Sequence, residues 1–255
     1  MAISFSGNST TFSDTTASVL SLFRPGVSAG DMMIAFVGGK DYNITITPPS
    51  GWTSIGSSTN GTTLAGVDTG STKIQAFYKT AGVFEPGSYG FSISGGGASA
   101  VMMGMIHVYS TTTTWNTPTG TGATNPSNGW SSISSSSTLS LPAGAFLPTC
   151  FVSNTDATFI GTSPFFSASG RSFGSWTSRP VSAYTTTSGG DGGMFTGYTS
   201  ISSASNNTPQ TVTILTSGSN SERGHAFIVQ LTDAAPTTTT TTRYPGRDFF
   251  QFITY

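Results

Sequence analysis

Met32-Met33-Ile34-Ala35-Phe36-Val37 and Val101-Met102-Met103-Gly104-Met105-Ile106-His107-Val108-Tyr109 decide how the chain folds. Both are apolar almost without a break, and both fall far short of the roughly 20 residues a membrane-spanning helix needs. A strand with one wet face alternates; a strand that stays apolar is covered on both faces. The two stretches therefore predict central strands lying between other layers. Around them stand shorter β-rich runs at 18–23, 72–78, 89–93, 139–141, 151–153, 181–186, 212–215 and 226–231, bounded by Gly, Pro, Asn and Ser. Tyr89-Gly90-Phe91-Ser92-Ile93 alternates and predicts one wet face. Few windows hold helix formers without interruption by Gly, Pro or β-branched residues. The pattern reads as an all-β, jelly-roll-like antiparallel β-sandwich.

Composition narrows the function classes. Of 255 residues, 7% are charged and 85 are Ser or Thr, against about 25% charge in an ordinary domain. Solubility therefore rests on neutral hydroxyls. Nine Lys and Arg against ten Asp and Glu give neither the basic stripe of a nucleic-acid binder nor the cluster that docks on anionic lipid. The 12% aromatic content can fill a core, which argues against a disordered chain. Cys150 stands alone, so no intrachain disulfide forms, and the thiol is expected to be a small buried hydrophobe. MAISFSGNST has neither the basic nor the apolar part of a secretory leader. The expectation is a product that folds where it is made.

The two halves, approximately 1–120 and 121–235, echo one another. Ala29-Gly30-Asp31-Met32 through Val37 finds a counterpart in Ala143-Gly144-Ala145-Phe146 through Val152, and Ile93 to Tyr109 in Ile214 to Leu231. Pro48-Pro49-Ser50-Gly51-Trp52 is set against Ser163-Pro164-Phe165-Phe166. These echoes predict two half-sandwiches of about four strands each, combined into one core over 1–235. Beyond it lies a Thr-rich spacer, 236–242, which spans roughly 20 Å when extended. An aromatic peptide, 243–255, follows. Its Arg243, Tyr244, Arg247, Phe249, Phe250, Phe252, Ile253 and Tyr255 are the expected partner-binding residues. Left in water such a tip would aggregate; docked, each buried Phe or Ile contributes on the order of 1.5 to 3 kcal/mol.

Catalytic patterns are thin. Gly170-Arg171-Ser172-Phe173-Gly174 has the spacing of a nucleophile elbow, with Asp191 and His225 following in the hydrolase order. That elbow needs a strand-turn-helix, which this chain does not offer. Asp31, Asp68, Glu85, Asp156 and Asp191 sit in turn-like contexts rather than as a pair across a cleft. His107 and His225 lack acid or thiol neighbours at metal-ligand spacing. No catalytic, cofactor or metal site is expected, and the chain reads as a non-enzyme. Trp52, Trp115, Trp130 and Trp176 would serve as sugar-stacking platforms if exposed; Trp52 reads as a core plug.

Gly30-Asp31-Met32 through Val37, Pro49-Ser50-Gly51-Trp52-Thr53, Ala76-Phe77-Tyr78-Lys79-Thr80-Ala81 and Glu85-Pro86-Gly87-Ser88-Tyr89 follow one another in a telling order. The series resembles a jelly-roll-like structural protein family of tailed bacteriophages, over about the first 110 residues. Ser221 to Leu231 is similar, more loosely, to that family's closing strand. Phe77 stands where the family has Tyr, and the Thr spacer with its aromatic tip is an addition. The resemblance implies a virion component assembled in the host cytoplasm. Its partners would be a major capsid protein or tail components, with a homotrimer as its own assembly. A head decoration or cement protein held by the C-terminal peptide is the first expectation. The alternative is a tail, collar or fibre protein that adsorbs to a host glycan. Neither nucleic acid nor membrane is an expected partner.

Overall fold

The structure, a computed structural model, describes residues 3–9, 12–14, 18–61, 70–96, 101–124, 132–153, 164–179, 183–184, 192–206, 208–216 and 224–234. The tail residues 243–255, Trp130 and the acids Asp68, Asp156 and Asp191 lie outside them. The first half contains β1 (Ser4–Asn8), β2 (Phe12–Asp14), β3 (Val19–Phe23), β4 (Met32–Lys40), β5 (Thr45–Thr47), β6 (Thr53–Asn60), β7 (Thr72–Thr80), β8 (Ser88–Ser94) and β9 (Val101–Ser110). The second contains β10 (Thr119–Thr124), β11 (Ser132–Ser135), β12 (Phe146–Ser153), β13 (Phe165–Ser167), β14 (Arg171–Phe173), β15 (Thr177–Arg179), β16 (Ala183–Tyr184), β17 (Gly192–Ala204), β18 (Thr213–Leu215) and β19 (Gly224–Gln230). Among the described residues there is no helix, and every strand pair is antiparallel.

The first half is wound as a jelly roll. One sheet runs β1-β9-β4-β7-β6, with β2 also on β9, and a second runs β3-β8-β5. The second half repeats this order as β10-β19-β12-β17, with β15 and β16 in the place of β6 and β14 also on β17, and β11-β18-β13. In the second half β10 also pairs with β11, so that half is a single ten-stranded sheet curled over its own core.

Register shows the duplication residue by residue. Met32 pairs with Thr80 and Tyr109; Phe146 takes the corresponding place between Ser200 and Leu231. Gly30 N–H donates to the Ala81 carbonyl and Ala81 N–H returns to Asp31; Gly144 and Ile201 exchange the same bonds, with Ala145 in the place of Asp31. Both turn glycines need positive φ, 91° and 86°, which a side chain adopts at a cost. Thr53 opposite Tyr78 matches Thr177 opposite Tyr198, so Trp52 and Trp176 are equivalent. Each packs edge-on or stacked against core rings, Trp52 on Tyr89 and Phe91, Trp176 on Phe151 and Phe166.

Three apolar layers explain the unbroken strands. Met33, Ala35 and Val37 of β4 face Leu20, Leu22, Ile46 and Phe91 inside the first jelly roll. Met32, Ile34 and Phe36 face the other way, onto Cys150, Val152, Phe227 and Val229 of the second. The second jelly roll keeps its own core, including Ile133, Leu147, Phe151, Ile214 and Ile228. The expectation of four strands per half around one shared core is thus corrected. Each half is a complete winding with a core of its own, and the third layer welds them.

That weld holds both histidines. His107 on β9 bonds Thr196 of β17 through Nε2 at 2.9 Å and the Tyr109 hydroxyl through Nδ1 at 3.0 Å. His225 on β19 donates from Nε2 to the Ser58 carbonyl at 3.0 Å, which leaves Nδ1 to accept from Thr72 of β7 at 2.8 Å. Each is fully buried and reaches from one jelly roll to the other. Phe5, Tyr198 and Phe146 stack beside His107, with the Arg179 guanidinium 4.2 Å from the Phe5 ring centre.

Candidate docking end

The starts of β4 and β12 and the ends of β9 and β19 lie at one end of the molecule, where Tyr109 and Phe146 touch across the weld. The last described residue, Ala234, is tied there by its N–H to the Thr114 carbonyl, and Trp115 Nε1 donates to the Gly30 carbonyl at 2.9 Å. Gly30 is bonded in turn to Ala81, where the β7–β8 loop begins. The chain therefore leaves for its spacer and aromatic peptide from the end that carries this loop.

Within the loop, Gly82-Val83-Phe84-Glu85-Pro86-Gly87, Phe84 is 93% exposed and Val83 80%. Phe23, at the end of the neighbouring β3, is 59% exposed. A flexible loop would fold such side chains under; this one is braced. Glu85, whose side chain is 4% exposed, accepts from Gly82 N–H at 2.6 Å, from Lys79 Nζ at 2.5 Å and from the Tyr89 hydroxyl at 2.5 Å. Arg24 straps the loop to β3 by its backbone N–H to the Gly87 carbonyl and its Nε to the Pro86 carbonyl. Burial opposes the Glu85 charge, but the bonds from Lys79, Tyr89 and Gly82 together outweigh it and hold the carboxyl below its usual range. Burial first, and then the bond to that carboxylate, push the Tyr89 hydroxyl up.

Replacing Glu85 by Ala leaves the Tyr89 hydroxyl and the Lys79 ammonium without their shared acceptor, so Glu85→Ala is expected to cost about 1 to 3 kcal/mol. Urea denaturation of the variant at pH 7 checks this. An unchanged midpoint would mean that the carboxylate does not brace the loop.

A groove of about 620 Å³ opens beside the chain exit, between residues 116–120, 137–142, 230–233 and Pro209. Four separate segments build it, so no sequence motif marks it. Nor does the loop match a known motif, although two apolar residues between Gly82 and Pro86-Gly87, with an acid beside them, are an unusual turn.

The other sequence candidates are placed plainly. The anchoring residues Arg243, Tyr244, Arg247, Phe249, Phe250, Phe252, Ile253 and Tyr255 lie outside the described residues. Ser172 is exposed on β14, opposite Ser203, while both ring nitrogens of His225 are committed inside the weld; the two do not form a catalytic pair. Trp52 is buried, and Trp115 and Trp176 are half-buried against the cores. Cys150 is buried in the weld, and burial pushes its thiol up. Among the described residues no group of three or more His, Cys, Asp or Glu could hold a metal ion. Comparison with protein-family models, curated proteins and solved structures gives no match.

Proposed function

We propose that the chain is a non-enzymatic virion structural protein, a capsid decoration or cement protein attached through its C-terminal peptide. The observation that carries this reading is the braced apolar tip, Val83-Phe84, at the end from which the chain leaves for that peptide. An exposed apolar tip at the end where Ala234 lies, followed in sequence by an aromatic peptide, would together make a docking device. Water would expel both, and a neighbouring subunit covers both. The tandem jelly roll supports the same role: a stiff, disulfide-free body with 7% charge packs into a dense shell with little mutual repulsion. Assembly would take place in the host cytoplasm, and repeated copies, as a homotrimer, would add many weak contacts. The major capsid protein, or a tail component, is the partner.

Cryo-electron microscopy of intact particles from the source tests the reading. The two jelly rolls are expected on the head lattice, with 243–255 and the 82–87 loop against a neighbour. Particles that carry no copy of this chain would sink it. Phe84→Ser supplies a milder check: a fold of unchanged thermal midpoint, since Phe84 is exposed, and reduced occupancy on particles by quantitative mass spectrometry. Full occupancy would remove the loop from the contact.

A further inference from the structure

The groove beside the chain exit, at about 620 Å³, falls within the roughly 300 to 1,000 Å³ of small-ligand sites. Its walls are hydroxyls and amides, with Leu139 and two prolines the only apolar side chains. No Lys, Arg or His lines it, and Asp233 supplies the single carboxylate. Walls of this kind cannot neutralise an anion, and they offer little to apolar side chains of a peptide. Their complement is a ligand dense in neutral donors and acceptors. We propose that this groove binds a neutral saccharide.

The polar groups are held in place before any ligand arrives. Thr111 and Thr113 hydroxyls each donate to Asp233 Oδ2 at 3.1 Å. Asn116 Nδ2 donates to the Thr232 hydroxyl at 3.0 Å and to the Asp233 carbonyl at 3.1 Å. Asn116 Oδ1 and the second Asp233 carboxylate oxygen stay uncommitted among the described residues and serve as acceptors for sugar hydroxyls. Gln230, in the same wall, donates to the Ser140 carbonyl, and its Oε1 is buried without a protein partner. With no open aromatic face in the lining, recognition proceeds by hydrogen bonds in a fixed frame, whose ordering cost is already met.

A glycan array probed with the full chain, carrying neutral, sialylated and sulfated oligosaccharides, followed by calorimetric titration of the best neutral hit, tests the site. Asn116→Ala removes an acceptor. Thr138→Trp fills the groove from its exposed rim without entering a core. A neutral oligosaccharide is expected to bind, each variant weakening it about tenfold or more, with the thermal midpoint unchanged in Thr138→Trp. Three results overturn the proposal: no neutral glycan bound at millimolar concentration, preference for the sialylated or sulfated set, or affinity that survives Thr138→Trp. None of them bears on where the chain sits on a particle, so this failure and that of the virion reading are separable.

Discussion

Lowering the pH from 7 to 5 will cost the fold about 3 to 4 kcal/mol, a loss carried by two side chains. His107 and His225 are buried in the weld, and burial drives their pKa values down from 6.5 to about 3 and about 4; Arg179 adds to the shift at His107, while the bond to Ser58 partly offsets it at His225. In the unfolded chain both imidazoles titrate near 6.5. Between that value and the folded ones the unfolded state therefore binds more protons, and stability rises with pH. The contribution is complete above about pH 6.5 and is lost as the pH falls towards the folded values. With folded values of about 3 and about 4, both histidines are still mostly neutral at pH 5, so each contributes about 2 kcal/mol to the difference. Carboxylates titrate mainly below this window. Guanidinium denaturation at pH 7, 6 and 5 reads the effect directly, and His225→Gln should flatten the pH dependence by about half. A midpoint that does not move between pH 7 and 5 would show that the histidines are not buried in this way.

The histidines also mark what a sequence can disclose. The unbroken apolar runs at 32–37 and 101–109 imply cover on both faces, and both faces are covered, by a jelly roll's own core and by the weld. What supplies the second cover is a long-range fact. His107 looks like any strand residue until β17 is brought against β9. The duplication was half legible: the echo at Gly30 and Gly144 and that from Ile93 and Ile214 onwards fall on equivalent strands. The alignment of Trp52 with Phe166 was misplaced, because the true partner, Trp176, begins a matching Trp-Thr-Ser. Long β17 went unread because Gly192-Gly193 and Gly197 interrupt its apolar residues.

The 243–255 peptide that composition singles out lies outside the described residues. The Val83-Phe84 tip needed the fold, because its meaning lies in Glu85 reaching Lys79 and Tyr89 on the two flanking strands. The groove needed it more, since Asn116, Thr138 and Gln230 meet only when β10, β12 and β19 are in place.

Gly39→Ala will cost at least about 3 kcal/mol, although it adds one methyl group. In sequence, Gly38-Gly39 follows the apolar run that ends at Val37. In the structure β4 passes straight through to Lys40, paired on both sides, with Gly39 between Lys73 and Met102. A Cβ on Gly39 would stand 1.7 Å from the Val101 carbonyl oxygen, and one on Gly38 2.5 Å from that of Lys73. Both obstacles are backbone, which cannot rotate away as a side chain would. Relief requires β4 to part from β9, and with it the layer that both cores rest on; overpacking of this kind costs about 1 to 3 kcal/mol even where side chains can give. Gly26 supplies the control. A Cβ there meets nothing within 4 Å, so Gly26→Ala should be neutral or stabilise by about 0.4 to 1 kcal/mol through the unfolded chain. Equal denaturation midpoints for the two alanine variants would contradict the continuous β4. A collapse confined to Gly39→Ala would show that glycine sits there because two neighbouring backbones leave no room for anything larger.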